Sequence, residues 1–220
     1  MKREIITTAD GSKTIQIKEW NEQYHSKHGA IQEAYHVFIH FGLHLFKNCD
    51  LNILEIGFGT GLNALITLME AEHQNLSIDY TGVEAYPVSK EEVGQLNYLK
   101  ELNALSFTKM FNEMHASRWE DIIPISPKFN LKKQQKDFKD IKDIAQYDLV
   151  YFDAFGARVQ PELWTVDIFE IMFKAIKQGG YLVTYAAKGS VRRAMLEVGF
   201  LVERLPGPPG KREMLRAKKP

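Results

Sequence analysis

Cysteine is nearly absent: Cys49 stands alone in 220 residues, which excludes an internal disulfide and any metal site built from several thiolates. Its expected place is in packing beside the first strand of the main domain. Long apolar runs are missing too. No stretch approaches the ~20 consecutive apolar residues that a helix needs to cross a bilayer, and Met1-Lys2-Arg3-Glu4 leads into alternating residues, not the apolar centre of a signal peptide. These absences point to a cytoplasmic chain with no membrane partner. Net charge is lacking as well, because Lys plus Arg and Asp plus Glu both number 28. The whole molecule therefore offers a polyanion no strong steering. Internal repeats are absent, so a solenoid or array is not expected.

What is present suits one folded domain with a small extension, since 45% of the residues are hydrophobic. The boundary is placed so that 1–48 forms an N-terminal hairpin and helical lid, and 49–220 the main domain. Ile5-Ile6-Thr7-Thr8 and Thr14-Ile15-Gln16-Ile17 flank Asp10-Gly11, a dipeptide suited to a hairpin turn. The polar and aromatic segment from Glu19 to Gly29 has no clear period, and a segment of that kind can close over a site. A helix is expected from Ala30 to Phe46.

From Leu51 onward, strand and helix alternate. Strands are expected at Leu51–Leu54, Ile78–Glu84, within Ile122–Leu131 at an edge because of Pro124 and Pro127, at Tyr147–Phe152, Tyr181–Tyr185, Phe200–Leu205 and Glu213–Ala217. Helices are expected at Val88–Leu102, Lys132–Ile144, Pro161–Lys177 and Gly189–Val198. In the second of these helices Phe138, Ile141 and Ile144 or Ala145 should face inward. Gln178-Gly179-Gly180 should end the helix before the fifth strand. The Pro/Gly run Pro206–Gly210 lets the last strand return antiparallel beside its predecessor. Such an order implies a parallel sheet covered by helices, with its ligand at the carboxyl ends of the strands.

The chemistry gathers at that edge. Glu55-Ile56-Gly57-Phe58-Gly59-Thr60-Gly61 follows an apolar strand and precedes a helical run, so the glycines form a tight turn against which a nucleotide-like cofactor lies. Glu84 closes the second strand, at the spacing of an acid that binds both ribose hydroxyls. That role alone would also fit NAD. Three carboxylates, Glu55, Glu84 and Asp153, would repel a pyrophosphate and attract a cationic sulfonium, so S-adenosylmethionine is the better fit. Glu55 either contacts that ligand or caps the turn. Asp153-Ala154-Phe155 puts a carboxylate and an aromatic face where the transferable methyl should sit. His36, His40 and His44 share one helical face, but no further ligands accompany them and a packing or surface role is expected. Phe38, Phe41 and Phe46 are expected in the core.

Taken together, Asp10-Gly11-Ser12, Tyr24-His25-Ser26, Gly29, Glu33, Glu55 to Asn63, Asp153-Ala154-Phe155, Pro161-Glu162-Leu163-Trp164, Lys188-Gly189, Val191-Arg192-Arg193, Gly199-Phe200 and Lys211-Arg212-Glu213-Met214-Leu215 resemble the MnmC-type methyltransferase domain. That family methylates 5-aminomethyl-2-thiouridine in bacterial tRNA. The resemblance implies an α/β, Rossmann-like class I S-adenosylmethionine-dependent methyltransferase fold: a mostly parallel seven-stranded sheet with an antiparallel last strand, plus an N-terminal β-hairpin. It implies an enzyme that turns the amine of 5-aminomethyl-(2-thio)uridine at the tRNA wobble position into a methylamine. Two-domain members also carry a flavin-dependent oxidase, and this chain ends where that oxidase would begin. A stand-alone form with no FAD, no metal and no obligate protein partner is therefore expected.

The cofactor site carried over comprises Glu55, Gly57, Phe58, Gly59, Thr60, Gly61, Asn63, Glu84, Asp153 and Phe155, yielding S-adenosylhomocysteine as product. No acid is assigned to the adenine amine, since Lys132 and Lys133 occupy one register and Ser117 to Asp121 another. Asp153 is the candidate expected to orient the amine and assist loss of its proton, and Tyr24, on the lid, is a second candidate for the acceptor contact. From Ala186 onward nine basic residues (Lys188, Arg192, Arg193, Arg204, Lys211, Arg212, Arg216, Lys218, Lys219) face three acids (Glu197, Glu203, Glu213). Of these, Lys188, Arg192, Arg193, Lys211 and Arg212 are expected on tRNA phosphates. Two other readings stay open: a small-molecule N-methyltransferase or aminopropyltransferase, and a non-catalytic S-adenosylmethionine- or tRNA-binding module.

Overall fold

The computed structural model describes residues 2–220. Three short antiparallel strands, β1 (Arg3–Thr7), β2 (Lys13–Ile17) and β3 (Glu22–Gln23), make a small N-terminal sheet. The main sheet contains β4 (Asp50–Ile56), β5 (Ser77–Val83), β6 (Ile122–Ser126), β7 (Phe129–Gln134), β8 (Tyr147–Phe152), β9 (Ile176–Thr184), β10 (Leu201–Pro206) and β11 (Glu213–Lys218). Their order is β10-β11-β9-β8-β4-β5-β7-β6. The five strands from β9 to β7 are parallel, and β11 enters antiparallel between β9 and β10. The seven strands expected become eight, because the single edge strand expected within Ile122–Leu131 is two: β6, which holds Pro124 at the edge, and β7, with which it pairs antiparallel.

The central strands read as continuous apolar runs because helices cover both faces. Side chains alternate along them: Leu51, Ile53, Leu149 and Tyr151 pack on one face, and Leu54, Ile56, Val150 and Phe152 on the other. The first face is covered by α1 (Ala30–Ala34), its π-helical continuation Tyr35–His40, and α2 (Leu62–Gln74). Val37, Phe38 and Ile39 are all buried there, so the helical part of 1–48 shares the core of the main sheet. His36 donates from Nε2 to Pro206 O at 2.8 Å, a packing contact.

Several helices differ from expectation. The Ala30–Phe46 helix breaks at Gly42, where a Cβ would collide with Phe38 O, and a 3-10 turn Leu43–Leu45 follows. Val88–Leu102 divides into α3 (Lys90–Val93), opened by a Ser89/Glu92 capping box, and α4 (Tyr98–Glu101). A further helix, α5 (Thr108–Ala116), buries Phe111 and Met114. The expected helix Lys132–Ile144 does not exist. Residues 129–134 are strand with Phe129, Leu131 and Lys133 buried in alternation, and one 3-10 turn, Phe138–Asp140, replaces the rest. Phe138 and Ile141 do face inward, whereas Ile144 is 73% exposed. Helix α6 (Val166–Ala175) ends before Ile176, and the glycines Gly179-Gly180 sit inside β9, where the register with β8 shifts. Helix α7 (Gly189–Glu197) covers the second face.

Lys133 explains why β7 was hidden, because a buried cation breaks the apolar alternation. It is 2% exposed, its Nζ donates to His115 O at 2.9 Å, and it lies 4.9 Å from the Trp119 ring centre. Burial pushes its pKa down to about 8, against about 10.4 in an unfolded chain. Between those values the unfolded chain binds more protons, so this residue makes stability rise with pH across that window. Lys133→Met should lose that rise, read as thermal unfolding midpoints between about pH 8 and about pH 10.4. Parallel curves for the two proteins would show that Lys133 is not the cause.

Candidate active site

The carboxyl ends of β4, β5, β7 and β8 open on a cavity of about 420 Å³. It lies where β4 has β5 on one side and β8 on the other, the switch point at which open α/β sheets bind ligands. The turn after β4 has positive φ at Gly57 (+88°), Gly59 (+49°) and Gly61 (+72°). At Gly57 a Cβ would sit 2.7 Å from Asp153 O, and at Gly59 3.1 Å from the Tyr24 ring. Gly61 then caps the N-terminus of α2, which leaves backbone N–H groups facing the turn. Thr60 is buried and accepts from Tyr98 OH at 3.0 Å. The Phe58 ring packs against Gly82 and His115.

The acids hold distinct positions. Glu55 is 1% exposed and accepts from Tyr80 OH at 2.8 Å and from Asn63 Nδ2 at 2.9 Å. Burial pushes its pKa well above the usual range. Both oxygens are thus engaged inside the protein. Glu84 accepts from Gly59 N at 3.0 Å and from Tyr86 N at 2.9 Å, one bond on each oxygen. A carboxylate offers about four lone-pair sites, so each of its oxygens retains one for a ligand hydroxyl. Asp153 accepts from Asn63 Nδ2 at 2.9 Å. Burial first and then the Glu33 carboxylate push its pKa up to about 7, against the lowering effects of the Asn63 bond and of Lys211.

Asn63 is the hinge of this arrangement. Its amide nitrogen serves both Glu55 and Asp153, while its Oδ1 is buried with no donor. An orphaned acceptor beside a cavity lined with carboxylates suits a cationic ligand, and a backbone cradle that tolerates no Cβ suits one lying flat on the chain. S-adenosylmethionine meets both conditions.

The roof comes from the N-terminal sheet. Phe155 is met edge-on by Tyr24 at 5.0 Å and by Trp20 at 5.6 Å, so the aperiodic segment after β2 does close over the cavity. Burial raises the pKa of Tyr24 above its ordinary value. Arg3 fastens this roof, donating to Tyr86 O at 2.8 Å and to Glu92 Oε2 at 3.2 Å. Nothing in the sequence signals that pairing.

Asp137 and Phe138 also line the cavity, at the end of β7 as Glu84 and Asp153 are at the ends of β5 and β8. The helix expected at Lys132–Ile144 would have placed them elsewhere, and the sequence signal for their position is an acid shortly after alternating residues. The basic residues are less uniform than expected. Lys188, Arg193 and Arg212 are exposed, but Lys211 turns inward, pairing with Glu33 at 2.5 Å and lying 3.7 Å from the Tyr185 ring centre. Arg204 and Arg216 pair with Glu213 and Glu203.

A model of the S-adenosyl-L-methionine-dependent methyltransferase family matches residues 122–220. Among curated proteins the chain is 28% identical over 216 residues to the tRNA 5-methylaminomethyl-2-thiouridine biosynthesis bifunctional protein MnmC of Leptospira interrogans, covering 90% of this chain and 32% of that protein. The namesake from Hydrogenovibrio crunogenus is 26% identical, with 89% and 31% covered. The chain thus spans about a third of the length of these relatives. The crystal structure of MnmC2 from Aquifex aeolicus superposes with a TM-score of 0.76 at 27% identity, over 100% of this chain and 71% of that one. Spermidine synthase from Thermotoga maritima shares the fold at a TM-score of 0.61 and 12% identity, over 99% and 68%. The chain therefore has the α/β fold of S-adenosylmethionine-dependent methyltransferases, and over nine-tenths of its length it resembles the MnmC proteins, as the sequence motifs implied.

Proposed function

We propose that this chain transfers a methyl group from S-adenosylmethionine to the primary amine of 5-aminomethyl-(2-thio)uridine at the wobble position of tRNA. The observation that carries the reading is the Asp153 carboxyl, which lines the cavity and is held there by Asn63 at 2.9 Å, with burial pushing its pKa up. When bound, S-adenosylmethionine supplies a sulfonium methyl that an amine lone pair can take, with a thioether leaving. A primary alkylammonium has no free lone pair, so a proton must first leave the nitrogen. Asp153 accepts that proton and orients the amine. Such a displacement is complete with these groups and calls for neither a metal nor a flavin.

The remaining residues bind. Glu84 takes the ribose hydroxyls with its free lone pairs, Asn63 Oδ1 accepts from the donor's ammonium, and Asp137 beside Phe138 accepts from the adenine amine. Glu55 sets Asn63 in place. Phe155, Tyr24 and Trp20 form an aromatic wall for the flipped uracil ring. Positioning supplies much of the catalysis, because the amine must lie in line with the methyl–sulfur bond. The reaction is proposed to take place in the cytoplasm.

tRNA phosphates are met by Lys188, Arg192, Arg193 and Arg212, while Lys211 is reserved for Glu33. Binding should therefore weaken steeply as salt rises from about 50 to about 200 mM. Lys188→Ala and Arg212→Ala should each flatten that slope by roughly one unit. A tRNA affinity indifferent to salt would dismiss the footprint. The activity itself is tested by incubating the chain with labelled S-adenosylmethionine and tRNA from a strain lacking this methyl group. Label should enter the tRNA, and its failure to do so would refute the reading.

A further inference from the structure

A second hollow, of about 450 Å³, lies on the other side of the loop that edges the active site. Asp153, Ala154 and Phe155 line the first cavity, and the next two residues, Gly156 and Ala157, line the second. The wall between them is stiffened by Tyr185, whose hydroxyl donates to Ala154 O at 2.8 Å. Ala186, Ala187 and Val191 line the hollow as well. Such short side chains leave room for a flat group. Its volume falls within the ~300–1,000 Å³ usual for small-ligand sites.

The charge at its mouth is positive and uncommitted. Lys188 and Arg212 line the hollow, are exposed, and form no ion pair among the described residues. Lys211 and Glu213, the other charged residues there, are occupied by Glu33 and Arg204.

We propose that this hollow holds the nucleotide adjacent to the methyl acceptor in the same RNA strand, its base against the Ala186–Ala187 floor and its phosphate at Lys188 and Arg212. The proposal rests on the tRNA reading above. An RNA strand that places one base in the first cavity must place a neighbour within one backbone step, and only one loop separates the two cavities. Single-stranded RNA loops are recognised by splaying bases into such pockets, with the phosphates on basic side chains. Small apolar residues and Tyr185 provide the contact area, while the exposed cations provide the charge complement.

The test uses RNA hairpins with 5-aminomethyluridine in the loop, either intact or carrying an abasic site immediately 5′ or 3′ of it. For the unaltered protein, one of the two abasic hairpins should lose about tenfold in kcat/KM, the scale of one lost stacked base. Ala187→Trp, which fills the hollow, should lose about as much on the intact hairpin and nothing further on that abasic one. Ala157→Trp, at the loop that separates the two cavities, should repeat the result, with S-adenosylmethionine affinity and melting temperature unchanged in both variants. Equal rates on all three hairpins, or full discrimination retained by both Trp variants, would overturn the proposal and leave the tRNA reading standing. Absence of methyl transfer to every hairpin and to tRNA would remove both.

Discussion

Asp153→Asn should lower the rate of methyl transfer by about 10²–10⁴-fold, the range that a lost general base produces, while S-adenosylmethionine still binds. The loss should carry a pH signature. With its pKa pushed up to about 7 by burial and by Glu33, the wild-type carboxyl becomes able to accept a proton only as pH rises through that value. The wild-type rate should therefore climb through about pH 7 and level off, and the variant should lack that limb. Stability supplies an independent check on the same carboxyl. Its pKa is higher folded than in the unfolded chain, where it is about 3.9. The folded state thus binds more protons between those values, and stability falls as pH rises across the window. Asp153→Asn should escape this loss and melt higher than the wild type at pH 8. A variant with near-normal rates would take Asp153 out of the chemistry, and one that melts lower would show that it acts as a structural strut.

Gly57→Ala should weaken S-adenosylmethionine binding by more than tenfold and depress turnover with it. A Cβ there meets Asp153 O at 2.7 Å and is forced onto φ +88°, so the substitution displaces the strand that carries the proton acceptor as well as the turn that cradles the donor. The conformational penalty alone is about 1–2 kcal/mol. Gly179→Ala separates the two effects. Gly179 has a φ of +82° with nothing within 4 Å of a Cβ, so that variant should show the backbone penalty in its melting temperature and leave binding and turnover intact. Calorimetric titration of both proteins makes the comparison. Equal affinities in Gly57→Ala and the wild type would mean that the turn does not contact the donor.

The parts of this fold that could be read from sequence are those where local pattern and burial agree. Strands β4 and β8 carry buried apolar residues on both faces, and an acid stands at or just past the end of each: Glu55 before Ile56 and the glycine turn, and Asp153 before Ala154-Phe155. The hairpin at Asp10-Gly11 and the pair β10–β11 were equally plain, because turn residues stand between alternating segments. Strand β7 was not, since the buried Lys133 made Lys132-Lys133-Gln134 look like a charged helical surface. Asp137 and Phe138 follow β7 to the cavity, so a helix there would not bring them to the site. Contacts between distant segments left no trace either. Arg3 with Tyr86 and Glu92, and Lys211 with Glu33, are fixed by how the N-terminal sheet and the C-terminal loop meet the main domain. Lys211 consequently looked like a phosphate ligand in a basic run, although it is held on the Tyr185 ring.

The small-molecule and non-catalytic readings share the donor site with the tRNA reading, so donor binding cannot separate them. Identification of the methylated nucleoside can. After incubation with labelled S-adenosylmethionine and tRNA from a strain lacking this methyl group, the tRNA is digested and its nucleosides are resolved by mass. Label in 5-methylaminomethyl-(2-thio)uridine is the expected result; label confined to small molecules, or in any other nucleoside, would contradict it.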